Sequence, residues 1–446
     1  MSISADVGSS TSGIDVQAVV DRIMYAERAP QRLMQAQQKL LESRSTALRD
    51  IQSKLDALES AIDDLNDVSG ALNARKATSS RNDLLTATAG SGATSGIHTI
   101  TVRSLAKSSS YCSDPRSSST AAIPTGSGFD LSIGAGAAVQ IRFDAAHATL
   151  GSAADYINGL GLGVRANVIS DANGSRLALT SKDPGAAGNI TVTNDTTGLN
   201  LVRTATGTNA QLTIDGVDVE SSANSVSGVL PGVTLNLSAA APDTELVLTV
   251  GADTTRAHAA VESFVRAWNT LVTGIGSQFT YDSVRKTSGV LAGDSSLRSL
   301  QDRLLRFMSH KLPDNGAYTT LRSVGVEMNN DGTFTVNDSV LESAISTGYD
   351  QFSRFFQASA GGFSSSFKTE LMALTDSVNG PVKINISGIE ASSRTITDSI
   401  SDFEARMEQR ETQLLAEYSR IDTLLRQFTA TQSRISTQLS ALSNNK

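Results

Sequence analysis

Among 446 residues there is one cysteine, Cys112, so no internal disulfide can staple this chain. Apolar runs long enough to cross a bilayer are missing too. Nothing approaches the ~18 residues that such a span needs, and no membrane insertion is expected. The first 25 residues lack a basic segment followed by an apolar core, so no cleavable secretory signal is expected. No basic tract or basic domain stands out against a net charge of −8, which argues against nucleic acid or an anionic membrane as partner. By these tests alone the chain reads as cytoplasmic.

Residue constellations that carry chemistry are equally scarce. The four histidines, His98, His147, His258 and His310, are far apart in sequence, and none belongs to an HExxH or Cys/His cluster, so a zinc site lacks its usual ligands. Gly293-Asp294-Ser295-Ser296 is similar to a serine-protease nucleophile loop, but a helix N-cap at Asp294 or Ser295 explains it better. Gly159-Leu160-Gly161-Leu162-Gly163 lacks dinucleotide spacing and follows a predicted helix, as a helix-ending turn would. Asn329-Asn330-Asp331-Gly332 has no bidentate Glu at calcium-loop distance. Cys112 sits in a Ser-rich stretch without a nearby base. No catalytic, metal or cofactor site is expected, and the chain does not read as an enzyme.

What is present is helical patterning at both ends with strand-rich sequence between. At 446 residues and 39% apolar content the chain is long enough for about two to four domains with real cores. In the C-terminal stretch Ile400, Met407, Leu414, Ile421, Phe428, Ile435 and Leu442 recur at an interval of seven, with Phe403, Leu424 and Leu425 as a partial second line. Near the other end run Leu41, Leu48, Leu55 and Ile62, and beside them Ile51, Leu58, Leu65 and Leu72. A seven-residue apolar repeat keeps one narrow seam facing a partner helix. At about 1.5 Å per residue the C-terminal helix, expected from near Ser387 to about Leu442, would run roughly 70 Å. The N-terminal stripe is expected to pack within the chain and the C-terminal one between chains.

The opening dozen residues read as disordered. Ile14, Val19, Val20, Ile23 and Met24 then lie at helical spacing, capped by Ser12 or Asp15, until Pro30 opens a second helix to about Leu72. This short first helix is expected to order on a partner. From Thr86 to Val250 the chain is Gly/Ser/Thr-rich, with β-branched runs at 98–102, 139–143, 164–169, 177–180 and 189–192 and a helix at 149–160. Asn173-Gly174 and Asp215-Gly216 mark hairpin turns, and 108–127 reads as a loop or hinge. Helical faces resume with Val261, Phe264, Val265, Trp268 and Leu271, then Leu297, Leu300, Leu304, Leu305 and Met308. Asp331-Gly332 reads as a hairpin, and Asn337 or Asp338 as the cap of a helix to about Ser346.

Several blocks carry a family resemblance. Ser12-Gly13-Ile14-Asp15-Val16, Val19-Val20-Asp21-Arg22-Ile23-Met24 and Ala26-Glu27-Arg28-Ala29-Pro30 closely resemble the start of the bacterial flagellar filament cap proteins, the hook-associated protein 2 family. The stretch from Gly96 to Val102 with Leu105-Ala106 resembles that family's next block. The stretch from Leu131 to Val192, with Leu177-Ala178-Leu179-Thr180-Ser181 and Asp183-Pro184-Gly185, resembles a repeat shared by flagellin and hook proteins. Gly289-Val290-Leu291-Ala292-Gly293-Asp294-Ser295, Gly325-Val326 and Asp331-Gly332-Thr333-Phe334 complete the set in family order.

The resemblance implies a structural cap at the filament tip, where a homo-oligomeric ring helps exported flagellin fold and insert and prevents its loss. It implies type III export without a cleaved signal, which would replace the cytoplasmic assignment with an extracellular one. It also implies contact with flagellin and the hook-filament junction protein, and an export chaperone at the C-terminal helices. The expected fold is α+β and multidomain. A terminal coiled-coil domain (1–40 and 390–446) would form a stalk, followed by a helix-rich domain (41–76 and 254–389). Two inserted β-rich outer domains follow, one of 77–130 with 200–253 and one of 131–199. The assembly residues expected on the terminal helices are Ile14, Val19, Val20, Ile23 and Leu33 at one end. Met407, Leu414, Ile421, Phe428, Ile435 and Leu442 are those at the other. An adhesin holding a host receptor or glycan through the β-rich domains is the alternative.

Overall fold

The structure, a computed structural model, describes residues 15–283, 286–358 and 361–443. Helix accounts for 48% and strand for 23%, with long helices at the two ends and strands between, which is the expected α+β multidomain organisation. The helices described are α1 (Val16–Glu27), α2 (Ala29–Asn66), α3 (Leu150–Gly159), α4 (Thr254–Phe279), α5 (Ser295–Phe307), α6 (Asp338–Thr347), α7 (Tyr349–Gln357), α8 (Phe363–Thr375) and α9 (Pro381–Ser443). The chain divides into two compact units. One comprises Met1–Asp63, Glu262–Leu341 and Arg354–Lys446, and the other Asp64–Val261 and Glu342–Ser353.

The second unit holds most of the β structure, in two modules with separate cores. Its strands are β1 (Arg75–Ser79), β2 (Leu85–Ala89), β3 (Gly96–Ser104), β4 (Ser110–Cys112), β5 (Gly128–Ile133), β6 (Val139–Arg142), β7 (Val164–Asp171) and β8 (Gly174–Ser181). They continue with β9 (Ile190–Thr193), β10 (Val202–Ala205), β11 (Ala210–Ile214), β12 (Val217–Ser221), β13 (Ser225–Leu230), β14 (Val233–Leu237) and β15 (Leu246–Ala252). In the first module a five-stranded antiparallel sheet ordered β1-β15-β3-β11-β12 shares a core with a three-stranded sheet ordered β13-β14-β2. Alternation sets the inner face, with Ile100, Val102, Leu212, Leu246 and Leu248 nearly or fully buried. Asp215 and Gly216, both at positive φ (49° and 84°), close the β11–β12 hairpin as predicted.

The second module joins a four-stranded sheet, β10-β4-β8-β7, a three-stranded sheet, β6-β5-β9, and α3 around one core. Thr149 and Ser152 form a reciprocal capping box at the start of α3. Here the 108–127 stretch departs from the loop expectation. Ser110, Tyr111 and Cys112 pair with Thr180, Leu179 and Ala178, so β4 is an inner strand. The fully buried Ser109 takes part from both ends: its N–H donates to Ser181 Oγ at 3.1 Å, and its Oγ accepts from Ile190 N–H at 3.1 Å. A serine-rich run reads as a loop, yet here its hydroxyls satisfy buried backbone groups. The expected edge at residue 130 consequently falls inside this module, whose core contains Tyr111, Ile123 and Phe129.

In the first unit α2 buries its predicted stripe: Leu48, Ile51, Leu55, Leu58 and Ile62 are at most 2% exposed, so the N-terminal heptads serve the chain's own core. Aromatics are few but concentrated. Phe264, Trp268, Phe307, Phe334, Phe363 and Phe367 stack with ring centroids 5.0–6.4 Å apart. The Asp331-Gly332 turn, at φ 82° for Gly332, is fastened to α4 from two sides. Trp268 Nε1–H donates to Gly332 O at 2.8 Å, and the Asn269 amide clamps both backbone groups of Phe334 at 2.6 and 2.8 Å. Asp294 caps α5, accepting from Ser296 and Leu297 N–H at 2.9 and 3.1 Å, which confirms the N-cap reading of that motif.

The long C-terminal helix starts at Pro381, six residues before the expected Ser387, and α2 ends at Asn66 rather than Leu72. Proline has no N–H to leave unsatisfied at a first turn, and the extra residues bury Val382 and Ile386. Because Trp268 is fully buried against Phe334 and Phe367 and also holds the hairpin, Trp268→Ala should lower stability by about 3–5 kcal/mol. Chemical denaturation followed by circular dichroism measures this. A loss below about 1 kcal/mol would mean that the cluster closes around the cavity.

Candidate assembly surface

Asp15 starts α1 by accepting from Ala18 N–H at 3.0 Å. The helix ends at Glu27, and Pro30 stands in the first turn of α2, where its missing N–H costs nothing. The break divides the N-terminal helical run into a 12-residue α1 and a 38-residue α2.

Both run antiparallel to α9, as a ladder of polar contacts shows. Glu27 meets Arg410 at 3.5 Å, Arg28 meets Glu411 at 3.4 Å, and Gln31 Nε2 donates to Glu404 Oε1 at 2.7 Å. Gln38 reaches Thr397 at 3.1 Å and Arg49 reaches Glu390 at 2.6 Å. From Arg28 to Arg49 the numbers rise on one side while they fall on the other from Glu411 to Glu390. Exposed pairs of this kind contribute little individually, but together they set register. Between α1 and α9 the apolar cluster is small: Val20, Met24 and Leu414 are buried, and Val16, Ile23, Met407, Leu415 and Tyr418 pack around them.

This geometry divides the expected assembly residues into three groups. Val20, Ile23, Met407 and Leu414 come together inside the chain's own helix pair, with Val19 half-buried nearby, so they do not form a free seam. The antiparallel pairing covers them. Ile421, Phe428 and Ile435 lie beyond the start of α1 and are 38%, 74% and 52% exposed. Leu33 is exposed on α2 at 74% and joins neither group. Ile14 and the side chain of Leu442 lie outside the described residues, as does the opening segment expected to be disordered. Leu415, Tyr418 and the exposed Leu439 were missed, because they flank the strict seven-residue line and a single-line count passes over them. The buried Gln31 carried no sequence signal beyond its place on a helix facing Glu404.

The histidines that sequence left unassigned have structural partners. His98 Nδ1 lies 2.7 Å from Asp215 Oδ2, and this bond, with Thr99 N–H, holds the Asp215 carboxyl below its ordinary value. His147 Nδ1 lies 2.7 Å from Asp144 and stacks on Tyr156, and His310 Nε2 lies 2.8 Å from Gly361 O. Cys112 is half-buried on β4. A cleft of about 640 Å³ in the first unit is lined mainly by hydroxyl and glycine positions, including Thr280, Ser288 and Thr333, with Asp331 as the one carboxylate among the described residues. No helix among the described residues is long and apolar enough to cross a membrane.

Paired terminal helices, a bare apolar repeat running past the pairing and β modules inserted between the ends define a helical assembly protein. Family models place it further. The Flagellar hook-associated protein 2 C-terminus model matches residues 207–430, the N-terminus model of the same family matches 12–109, and the Flagellin hook IN motif matches 126–183. The chain belongs to the flagellar hook-associated protein 2 family. It is 28% identical to the A-type flagellar hook-associated protein 2 of Pseudomonas aeruginosa, across 99% of this chain and 98% of that one. It is 25% identical to the flagellar hook-associated protein 2 of Escherichia coli K12, across 98% of both. Its fold is similar to the crystal structure of the flagellar cap protein FliD D1-D2-D3 domains from Escherichia coli. There the TM-score is 0.62 at 26% identity, covering 77% of this chain and 99% of that one.

Two outcomes test the helix pair. Leu414→Asp places a carboxylate in the small α1–α9 cluster, so amides of α1 should lose hydrogen-exchange protection while the β modules keep theirs. Unchanged protection in α1 would show that the cluster does not hold it. Glu390 has its carboxyl pulled below the ordinary value, first by the hydrogen bond from Arg49 and further by the Arg49, Lys383 and Arg394 charges. A depressed carboxylate contributes stability above its unfolded value, and that contribution is lost as pH falls through the folded one. Melting temperature should therefore drop between about pH 5 and pH 3 more in wild type than in Glu390→Gln. Equal slopes would remove this tie from the account.

Proposed function

We propose that this chain caps the distal tip of the bacterial flagellar filament, where it promotes folding and insertion of exported flagellin and prevents its loss. The observation that carries the docking role is the bare seam of α9. Ile421, Phe428 and Ile435 repeat every seventh residue, stay exposed and continue the stripe that α1 covers from Met407 to Leu414. Solvent exposure of so regular a line is unfavourable unless another helix takes it. Helix-in-groove docking built from many modest contacts suits a cap that must detach and step as each subunit is added.

In this reading residues 1–40 and 390–446 act as the terminal domain, and copies of the chain assemble as a ring. The ring meets flagellin and the hook-filament junction protein, and an export chaperone binds the C-terminal helices before secretion. The chain is exported without a cleaved signal and works outside the cell. The β modules form the plate that closes the tip. Family membership along nearly the whole chain supports this reading. The adhesin alternative receives no support from the family or from its relatives.

The test is Phe428→Asp with Ile435→Asp. Both side chains are exposed, so circular dichroism and melting should match wild type, while filament growth in cells carrying only the variant should stop. Normal filaments from the double variant would sink the docking role of this seam.

A further inference from the structure

We propose that the exposed end of α9 selects an amphipathic helix with acidic flanks, using Arg420 and Arg434; this deepens the docking reading above and rests on it. In the seven-residue register of Ile421, Phe428 and Ile435, the preceding row is Arg420, Gln427 and Arg434. In a helix pair that row borders the apolar seam and meets charges on the partner. Arg420 and Arg434 have no ion pair or side-chain hydrogen bond among the described residues. The other arginine of the stretch, Arg426, is satisfied by Asp422 at 2.7 Å on the same helix. From Arg420 onward, among the described residues, the exposed end therefore offers two open cations beside its seam, and its acid Asp422 is engaged by Arg426.

The covered part of α9 shows how the chain itself meets flanking charge. There Glu411 faces Arg28, Glu404 takes the Gln31 amide and Arg410 faces Glu27, each across the helix pair. The apolar line Ile421, Phe428 and Ile435 continues that interface at the same seven-residue interval, so a helix is the occupant it is shaped for. A second copy of α9 is a poor fit. Parallel pairing would set Arg420 and Arg434 against Leu425 and Leu439, and antiparallel pairing would set arginine against arginine or Gln427. Acidic side chains on the incoming helix complete both sites. The seam is also interrupted: Thr431 and Gln438 fall where a second apolar line would run beyond Leu424. Apolar contact alone is then weak, and flanking charge decides which helix stays.

Three fluorescent synthetic helical peptides test this, sharing one seven-residue apolar seam and differing only in flanks of Glu, Gln or Lys. Titrated with the full chain at low salt and followed by anisotropy, the Glu peptide should bind about fivefold to tenfold more tightly than the Lys peptide. The ratio should shrink at high salt and fall to about one in R420Q/R434Q. Equal affinities in wild type, no binding of the Glu peptide, or a ratio that survives R420Q/R434Q would each overturn the proposal. So would co-sedimentation with phosphatidylglycerol vesicles that is lost in R420Q/R434Q while the peptides fail to bind, because the cations would then serve a lipid surface. Filament growth of the Phe428→Asp, Ile435→Asp variant separates the two ideas. Normal growth with an intact peptide ratio removes the capping role and keeps the charge selection, whereas lost growth with a ratio of one does the reverse.

Discussion

The structure depends on a helix that outlasts its partner. α9 is 63 residues long, and α1 with α2 runs antiparallel along its middle, but α1 begins at Val16, opposite the Leu414–Tyr418 turn. The apolar stripe around Met407 and Leu414 packs against the chain itself, and past that point Phe428 and Ile435 are exposed. The same repeat thus serves two purposes. Met407 and Leu414 join a core, while Phe428 and Ile435 remain in water. No change of pattern marks the transition. It is set by where the shorter helix stops.

Holding the two ends of a 446-residue chain side by side carries a loop-closure cost that grows only slowly with length, by about (3/2)RT ln n. Everything between can therefore be elaborate at little added cost to the pairing. The chain uses this freedom for two β modules, each with its own core and its own tight turns. The α1–α9 cluster is by contrast small, with three buried side chains and a Pro30 break behind it. An element held by so little apolar area belongs to the least protected part of a fold, as suits a surface that exchanges partners.

Much of this was legible in the residues. Period-seven lines gave α2 and α9, Asp15 gave the start of α1, and Asp215-Gly216 and Asp331-Gly332 gave their hairpins, because each rests on chemistry within a few residues. Legibility failed where the partner is distant. Ser109 reads as loop until Ser181 and Ile190 come to it, and Cys112 reads as loop until Ala178 and Val202 pair with it. Val20 and Leu414 read as free seam for the same reason, since each covers the other across almost the whole chain.

From sequence alone came the existence of a long apolar repeat, the α+β division of the chain and the family resemblance. These follow from local periodicity and residue type, which no distant contact can alter. Tertiary structure decided which part of the repeat is core and which is surface, and which arginines are satisfied. Arg28 and Arg410 find acids on the facing helix, whereas Arg420 and Arg434 lie past its end. Burial and charge pairing are properties of two segments brought together, and only the fold brings them together.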